Sequence, residues 1–151
     1  MVYYDGQSGF ITVITGPMFS EKSGKLIERC RKEEMYGKKR YIAYKPDIDN
    51  RFADDRIISR VGTSIPAKPI SVELDDELLT EILKETEPYD IVAFDEAQFF
   101  SRNIIRLVKE LAYNKKHIMI DGLNMDYSGK EFGCMGGLLA IADEIEKLTA
   151  Y

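Results

Sequence analysis

An apolar run, Phe10–Thr15, stops at Gly16 and gives way within a few residues to a helical pattern. A run of this length without a charged residue predicts a strand buried on both faces, as the central strands of parallel sheets are. From Lys22 to about Tyr36, apolar side chains recur at helical spacing, and Gly37 predicts the end of this helix. A buried strand, a short turn and a helix in this order favour an α/β fold.

A second apolar run, Asp90–Phe94, leads directly into Asp95 and Glu96, and strand and helix patterns alternate along the rest of the chain. This alternation is typical of a parallel sheet flanked by helices. Acidic residues placed directly after a buried strand lie at its carboxyl end, where α/β proteins bind their ligands. We therefore predict that the two strands are neighbours and present Gly16–Ser23 and the acidic pair to one cleft.

The size of the chain favours a single domain. Its 151 residues, 44% of them hydrophobic, suffice for one buried core and are too few for two, so residues 1–151 are interpreted as one unit. The formal net charge of −5 and the lack of a Lys/Arg stripe argue against a nucleic-acid partner.

Membrane and zinc binding are also not expected. The longest apolar runs are far shorter than the roughly 20 residues of a membrane-spanning helix, and the first residues do not resemble a secretion signal. Cys30 and Cys134 are isolated and form no metal-binding pair, while His117 beside Lys115 and Lys116 is interpreted as a solvent-exposed strand entrance. We expect a cytoplasmic protein without zinc.

The segment Gly16–Ser23 fits the phosphate-binding pattern G-x-x-x-x-G-K-[ST] at each defined position but one, where Glu21 replaces the second glycine. In the intact motif, loop N–H groups and the helix N-terminus surround phosphate, the lysine reaches the outer phosphates and the hydroxyl binds Mg²⁺. The residues predicted to bind ATP and Mg²⁺ in this loop are Gly16, Ser20, Glu21, Lys22 and Ser23.

The carboxylate of Glu21 is expected to weaken phosphate binding. At about 5 Å from one phosphate charge, it would cost roughly 3 kcal/mol at an effective dielectric of about 20, or on the order of 100-fold in affinity. An alternative is that the side chain fills the anion site itself, because a carboxylate at a helix N-terminus is stabilised by about 0.3–1 kcal/mol.

Further segments accompany this loop, and together they resemble the nucleotide-binding core of the cellular-type, or type II, thymidine kinases from about Phe10 to the end of the chain. The segments are Gly16–Ser20, Lys45–Arg51, Ile58–Gly62, Asp95–Phe100 and Leu123–Gly133, the last followed by Leu139–Ala142. The resemblance implies a P-loop NTPase-like, mainly parallel sheet flanked by helices, a nucleoside or nucleotide ligand, and a homo-oligomer, either dimer or tetramer.

The resemblance also assigns roles to individual residues. Asp95 matches the acidic residue that holds Mg²⁺ through its water shell together with Ser23, and Glu96 matches the general base that accepts the proton of the nucleoside 5′-hydroxyl. Asp49 and Arg51 match a pair at the phosphate site, where a guanidinium stabilises charge on the transferred group. Side chains that match the thymine pocket, and that would otherwise be assigned to the core, are Met18, Phe99, Leu123, Tyr127 and Phe132.

Several departures from the family pattern bear on activity. Besides Glu21, Gly24 weakens the first helical turn, and Asn124 replaces the acidic residue usual after Leu123. The chain ends at Tyr151, before the position of the family's zinc module and its base-binding lasso loop, so we expect the zinc domain to be absent. Base specificity and turnover are the properties that these departures affect.

Three functions remain open at this point. The first is a thymidine kinase with weak or no activity, and the second is a non-catalytic protein that sequesters a nucleoside, a nucleotide or a signalling nucleotide. The third is a regulatory or oligomer-forming partner that retains only the fold. Retention of Asp95, Glu96 and Arg51 favours the first two, whereas Glu21 and the missing lasso favour the last two.

Overall fold

A six-stranded parallel sheet lies at the centre of the protein, and a separate two-stranded hairpin lies beside it. The computed structural model describes residues 8–48, 55–124 and 133–150. The strands are β1 (Phe10–Thr15), β2 (Tyr41–Pro46), β3 (Arg56–Ile58), β4 (Ser64–Pro66), β5 (Lys68–Ile70), β6 (Ile91–Phe94), β7 (His117–Gly122) and β8 (Glu144–Lys147). Strands β3 and β4 pair antiparallel as the hairpin, and the other six form the sheet.

The order of the sheet is β5-β2-β6-β7-β1-β8, with every neighbouring pair parallel. The prediction that the strands ending at Thr15 and Phe94 are neighbours is therefore wrong, because β7 lies between them. Apolar runs show that strands are central but not which central strand pairs with which. Since the sheet is parallel, both carboxyl ends still lie at the same edge.

Helices cover both faces of this sheet, as the α/β prediction requires. They are α1 (Lys22–Met35), α2 (Asp76–Glu85), α3 (Asn103–Tyr113) and α4 (Met135–Ile141), with a short 3₁₀ helix at Ala97–Phe99. Helix α1 and the β3–β4 hairpin share one core with the face of the sheet that carries Ile14 and Met119. Helices α2, α3 and α4 pack on the opposite face. Across 8–48, 55–124 and 133–150, none of these helices has the length and apolarity needed to cross a bilayer.

Local sequence signals set the helix boundaries. The carboxylate of Asp75 accepts a hydrogen bond from the N–H of Leu78 at 2.9 Å and caps α2, as a residue of this type before a helix predicts. Helix α4 begins at Met135, inside the glycine-rich stretch that follows β7. Residues 125–132 of that stretch lie outside the described ranges.

His117 is buried, contrary to the prediction of a solvent-exposed strand entrance. Its Nε2 lies 2.9 Å from Oγ1 of Thr12, which donates a hydrogen bond to Glu144 at 3.0 Å. Glu144 in turn pairs with Arg29 at 2.7 Å. The neighbouring lysines suggested exposure, but β7 lies between two other strands and draws its first residue into the interior. Burial lowers the pKa of His117 to about 4, and the nearby Arg29 charge acts in the same direction.

Candidate functional site

The loop between β1 and α1 folds tightly back on itself. A Cβ added at Gly16 would lie 2.7 Å from the carbonyl oxygen of Leu148 and 2.9 Å from Oγ of Ser20, so this position accepts no side chain. The hydroxyl of Ser20 donates to the carbonyl of Pro17 at 2.7 Å. Lys22 Nζ donates to the same carbonyl at 2.7 Å and to Ser20 Oγ at 3.3 Å. The loop thus holds the lysine ammonium against its own backbone.

A hydrogen bond connects this loop to the carboxyl end of the central sheet. Ser23 Oγ donates to Asp95 Oδ1 at 2.8 Å, across 72 positions of sequence. Asp95 directly follows β6 and is almost fully buried. The bond brings the two groups predicted to hold Mg²⁺ into direct contact, although their strands are not neighbours.

Glu96 follows Asp95 in a left-handed backbone conformation, with φ of 50°. Residues other than glycine adopt this region at a cost, and such strain is concentrated at functional sites. The Glu96 N–H donates to Oδ1 of Asp121 at 3.1 Å. Glu96 lines the same cleft as Lys22 and Ser23.

Asp121 is a residue of this cleft that the sequence reasoning missed. It lies in β7 and is almost completely buried. Burial raises the pKa of its carboxyl group well above the usual value, and the charge of Asp95 adds to this shift. Burial also lowers the pKa of Lys22, an effect opposed by the negative charges of Asp121, Glu96 and Asp95. The position of Asp121 at the carboxyl end of an apolar run is the sequence signal that would have identified it as a site residue.

Glu21, at the N-terminus of α1, adopts φ of 64°, a left-handed conformation suited to glycine. Its side chain makes no capping hydrogen bond to the helix, so it does not fill the anion site in the way the alternative interpretation required. Instead its Oε1 lies 3.7 Å from Nε of Arg60, on the turn between β3 and β4. The guanidinium of Arg60 also lies over the ring of Phe19, 5.1 Å from its centroid.

Gly24 and Glu21 fit each other. A Cβ at position 24 would stand 2.8 Å from Oε2 of Glu21 and 3.4 Å from Cβ of Ser59. The carboxylate therefore folds over the first turn of α1, into space that only a glycine at position 24 leaves open. The two departures from the phosphate-loop pattern are coupled through this contact.

Gly24→Ala tests this coupling. Alanine in place of glycine should stabilise a helix by up to about 1 kcal/mol, but here the new methyl group must displace the Glu21 carboxylate. We expect a smaller gain in the wild-type protein than in the Glu21→Gly background, measured as the free energy of unfolding in urea. Equal gains in the two backgrounds would show that residues 21 and 24 are independent.

Apolar side chains form the other side of the cleft, whose volume is about 250 Å³. Met18, 58% exposed, and Leu123 both line it. The N–H of Leu123 donates to Oε1 of the buried Gln98 at 3.1 Å, which fixes the chain after β7. Phe99, 40% exposed, lies on the adjacent 3₁₀ helix but is not among the described residues that line the cleft.

This arrangement of loop, acidic pair and apolar wall coincides with a match along the sequence. The family model described as thymidine kinase matches residues 9–151. The chain belongs to the thymidine kinase family. The match includes the phosphate loop, the acidic pair after β6 and the segment after β7.

A solved structure supports the fold of this thymidine kinase family member. Domain III of the Thermotoga maritima replication initiation protein DnaA matches it with a TM-score of 0.54 at 14% sequence identity. The match covers 95% of this chain and 56% of that chain, so the present chain spans little more than half the length of the matched one. At this identity the likeness shows the P-loop NTPase-like α/β fold and nothing of the ligand.

Four of the residues that the thymidine kinase resemblance assigned to the site lie outside the described ranges. They are Asp49, Arg51, Tyr127 and Phe132. Their roles stay predictions, as do those of the residues that the cleft brings together.

The residues of this cleft fit Mg²⁺ that is bound together with a nucleotide, as is expected of thymidine kinases. A hydroxyl and a carboxylate 2.8 Å apart, Ser23 and Asp95, are ligands of the type that Mg²⁺ prefers while it keeps several waters. Within the part of the chain that the structure describes, no group of three or more His, Cys, Asp or Glu side chains is arranged to hold a metal. Water and phosphate oxygens would add to these two ligands when a nucleotide is bound.

Proposed function

We propose that this protein binds a nucleoside or nucleotide in the cleft between the phosphate loop and Asp95–Glu96, with weak or no ATP:thymidine 5′-phosphotransferase activity. The observation that carries the proposal is the hydrogen bond from Ser23 to Asp95, 2.8 Å long. It supports a nucleotide site because it joins the helix N-terminus of a phosphate loop to an acidic residue at a strand end. Membership in the thymidine kinase family points to the same ligand class.

The chain's own residues would divide the work as follows. Lys22 and the loop N–H groups would hold phosphate, while Ser23 and Asp95 would hold Mg²⁺. ATP, when bound with Mg²⁺, supplies the phosphoryl group in a partly neutralised form. Glu96 would accept the proton of the attacking 5′-hydroxyl, and Arg51 is proposed to stabilise charge on the transferred group.

Positioning of the base is the weaker part of this proposal. Met18 and Leu123 contribute apolar surface to the cleft, and Phe99, Tyr127 and Phe132 are proposed to complete the thymine pocket. From the resemblance to the family, we also propose that the protein forms a homo-oligomer, either a dimer or a tetramer.

A non-catalytic binding protein is the second candidate. The observation that favours it is the carboxylate of Glu21 at the N-terminus of α1, at the edge of the cleft. Such a charge lowers the affinity for a polyphosphate and still permits an uncharged nucleoside to bind. A partner that retains only the fold is the third candidate.

Calorimetric titration with thymidine, thymidine monophosphate and ATP with Mg²⁺, together with an assay of thymidine phosphorylation, separates these candidates. We expect thymidine to bind, and ATP to bind more weakly than in ordinary kinases. Lys22→Met should reduce ATP affinity at least about tenfold, since it removes a charged donor, and should leave thymidine affinity unchanged. Lys25→Met is the matched control, because Lys25 lies on the same helix but pairs with Glu28 and Glu146.

Two outcomes would contradict the proposal. Failure of all three ligands to bind would leave the fold-only partner. Thymidine phosphorylation at roughly 1 per second or faster, an ordinary enzymatic rate, would show that the defect in the loop has been overestimated.

A further inference from the structure

Arg60 connects the β3–β4 turn to the phosphate loop. Its Nε lies 3.7 Å from Glu21 Oε1, and its guanidinium lies 5.1 Å from the centre of the Phe19 ring. Both partners have φ of 64°, so the backbone on either side of Ser20 adopts left-handed conformations. Arg60 also lines the cleft that Lys22 and Ser23 line. The arginine therefore faces the phosphate site from an element that the loop motif does not include.

The base of Arg60 is fixed, whereas its charged end is loosely held. Ser59 donates its N–H to the carbonyl of Thr63 at 2.8 Å, and the two hydroxyls lie 2.6 Å apart, which closes the turn around Arg60. The hairpin is anchored in the core shared with α1 through the buried Ile57 and Ile65. The Arg60 side chain is nevertheless 63% exposed and that of Glu21 is 39% exposed. An ion pair at 3.7 Å with this exposure contributes little to stability, so its partners can exchange.

We propose that Arg60 is a further phosphate-binding residue of this cleft and that Glu21 is the anion that competes for it. The inference rests on the proposed function, since it adds a residue to the same nucleotide site. A guanidinium binds phosphate oxygens through two parallel hydrogen bonds and prefers a multiply charged phosphate to a single, poorly aligned carboxylate. The Glu21 carboxylate lies 3.7 Å from Nε of Arg60 and would compete with a bound phosphate for this guanidinium.

This competition predicts that the effects of substituting Glu21 and Arg60 on phosphate affinity depend on each other. Simple repulsion of phosphate by Glu21 does not predict this dependence. If Glu21 acted only by repelling phosphate, neutralising it would improve binding equally whether or not Arg60 is present. If Glu21 acts by holding Arg60, the improvement requires the arginine. Double-mutant cycles distinguish the two, because they isolate the pairwise term.

The experiment is calorimetric titration with inorganic tripolyphosphate, and with ATP and Mg²⁺, of Glu21→Gln, Arg60→Ala, the double variant and wild type. We expect Glu21→Gln to tighten binding about tenfold and Arg60→Ala to weaken it about tenfold, as for a charge-assisted hydrogen bond gained or lost. In the Arg60→Ala background, Glu21→Gln should change the affinity less than about twofold. Arg60→Lys, which keeps the charge but not the paired donors, should fall between wild type and Arg60→Ala.

Arg31→Ala is the matched control, because Arg31 also contacts the hairpin, at the carbonyl of Ser64, and its loss removes the same charge. It does not line the cleft, and its effect should stay within about twofold. Thermal unfolding of each variant checks that the hairpin remains folded.

The outcomes separate this inference from the proposed function. Equal gains from Glu21→Gln in both backgrounds, or an Arg60→Ala effect no larger than that of Arg31→Ala, would overturn the role of Arg60. If binding is then still lost in Lys22→Met, the proposed nucleotide site stands without Arg60. Binding that is indifferent to Lys22→Met, or absent from the wild-type protein, would overturn both.

Discussion

Glu21→Gly is expected to raise the affinity for ATP by about 10- to 100-fold. The lower value is the gain expected when the carboxylate acts only by holding Arg60, whose Nε lies 3.7 Å from it. The upper value is the gain expected when the carboxylate, about 5 Å from a phosphate charge at an effective dielectric of about 20, also repels phosphate directly. Glycine also suits the φ of 64° at this position, so the variant should be no less stable than wild type.

Titration of ATP and Mg²⁺ over a range of salt concentrations measures this effect. The gain should shrink as salt is added, because screening weakens interactions between partly exposed charges. Glu28→Gln removes the same charge from the same helix, where Glu28 pairs with Lys25 and Lys32, and should have little effect. An affinity that is equal in wild type and Glu21→Gly at every salt concentration would show that the carboxylate does not influence the phosphate site. Thymidine turnover is not expected to rise with ATP affinity, since the substitution does not improve binding of the thymine base.

Acidification is expected to destabilise the protein through His117. Its pKa of about 4 in the folded protein lies below the value of about 6.5 in an unfolded chain. Because the pKa is lowered in the folded state, the stabilising contribution of neutral His117 is fully present above pH 6.5 and is lost as the pH falls toward 4. The expected decrease in the free energy of unfolding is about 1.4 kcal/mol between pH 7.5 and 5.5, and about 3 kcal/mol by pH 4.

The chain contains one histidine, which makes the measurement direct. The imidazole resonances in a proton NMR titration should barely move between pH 7.5 and 5.5. Urea unfolding of His117→Gln, which keeps a polar group near Thr12 but cannot ionise, should show a much smaller loss over the same range. Comparison of the two proteins at pH 5.5 isolates His117, because the carboxylates, including Asp121 with its raised pKa, are present in both. The same pH slope in both proteins would contradict this prediction.

Local patterns were enough to predict the elements that build the site. The apolar run before Gly16 and the one before Asp95 predicted two buried strands, and the helical spacing after Lys22 predicted α1. The parallel sheet then places the loop and the acidic pair at one edge, which the hydrogen bond from Ser23 to Asp95 confirms. Strand order could not be predicted in this way, because the run that became β7 has the same apolar character as its neighbours.

The remaining differences between the sequence-based predictions and the structure all depend on contacts between distant parts of the chain. Nothing near His117 in sequence indicates that Thr12, 105 positions away, lies beside it. Glu21 meets Arg60 only because the β3–β4 hairpin packs on α1. Asp121 was visible at a strand end, but the importance of that strand depends on its insertion between β1 and β6.

The left-handed backbone at Phe19, Glu21 and Glu96 has a consequence for how this protein could change over generations. At such positions glycine costs the fold less than any side chain does. Drift governed by folding alone would therefore tend to erase these three side chains. Positions 96 and 19 of this chain nevertheless carry a carboxylate and the ring over which Arg60 lies, and both side chains line the cleft, so glycine at either position would remove a group that a ligand can contact.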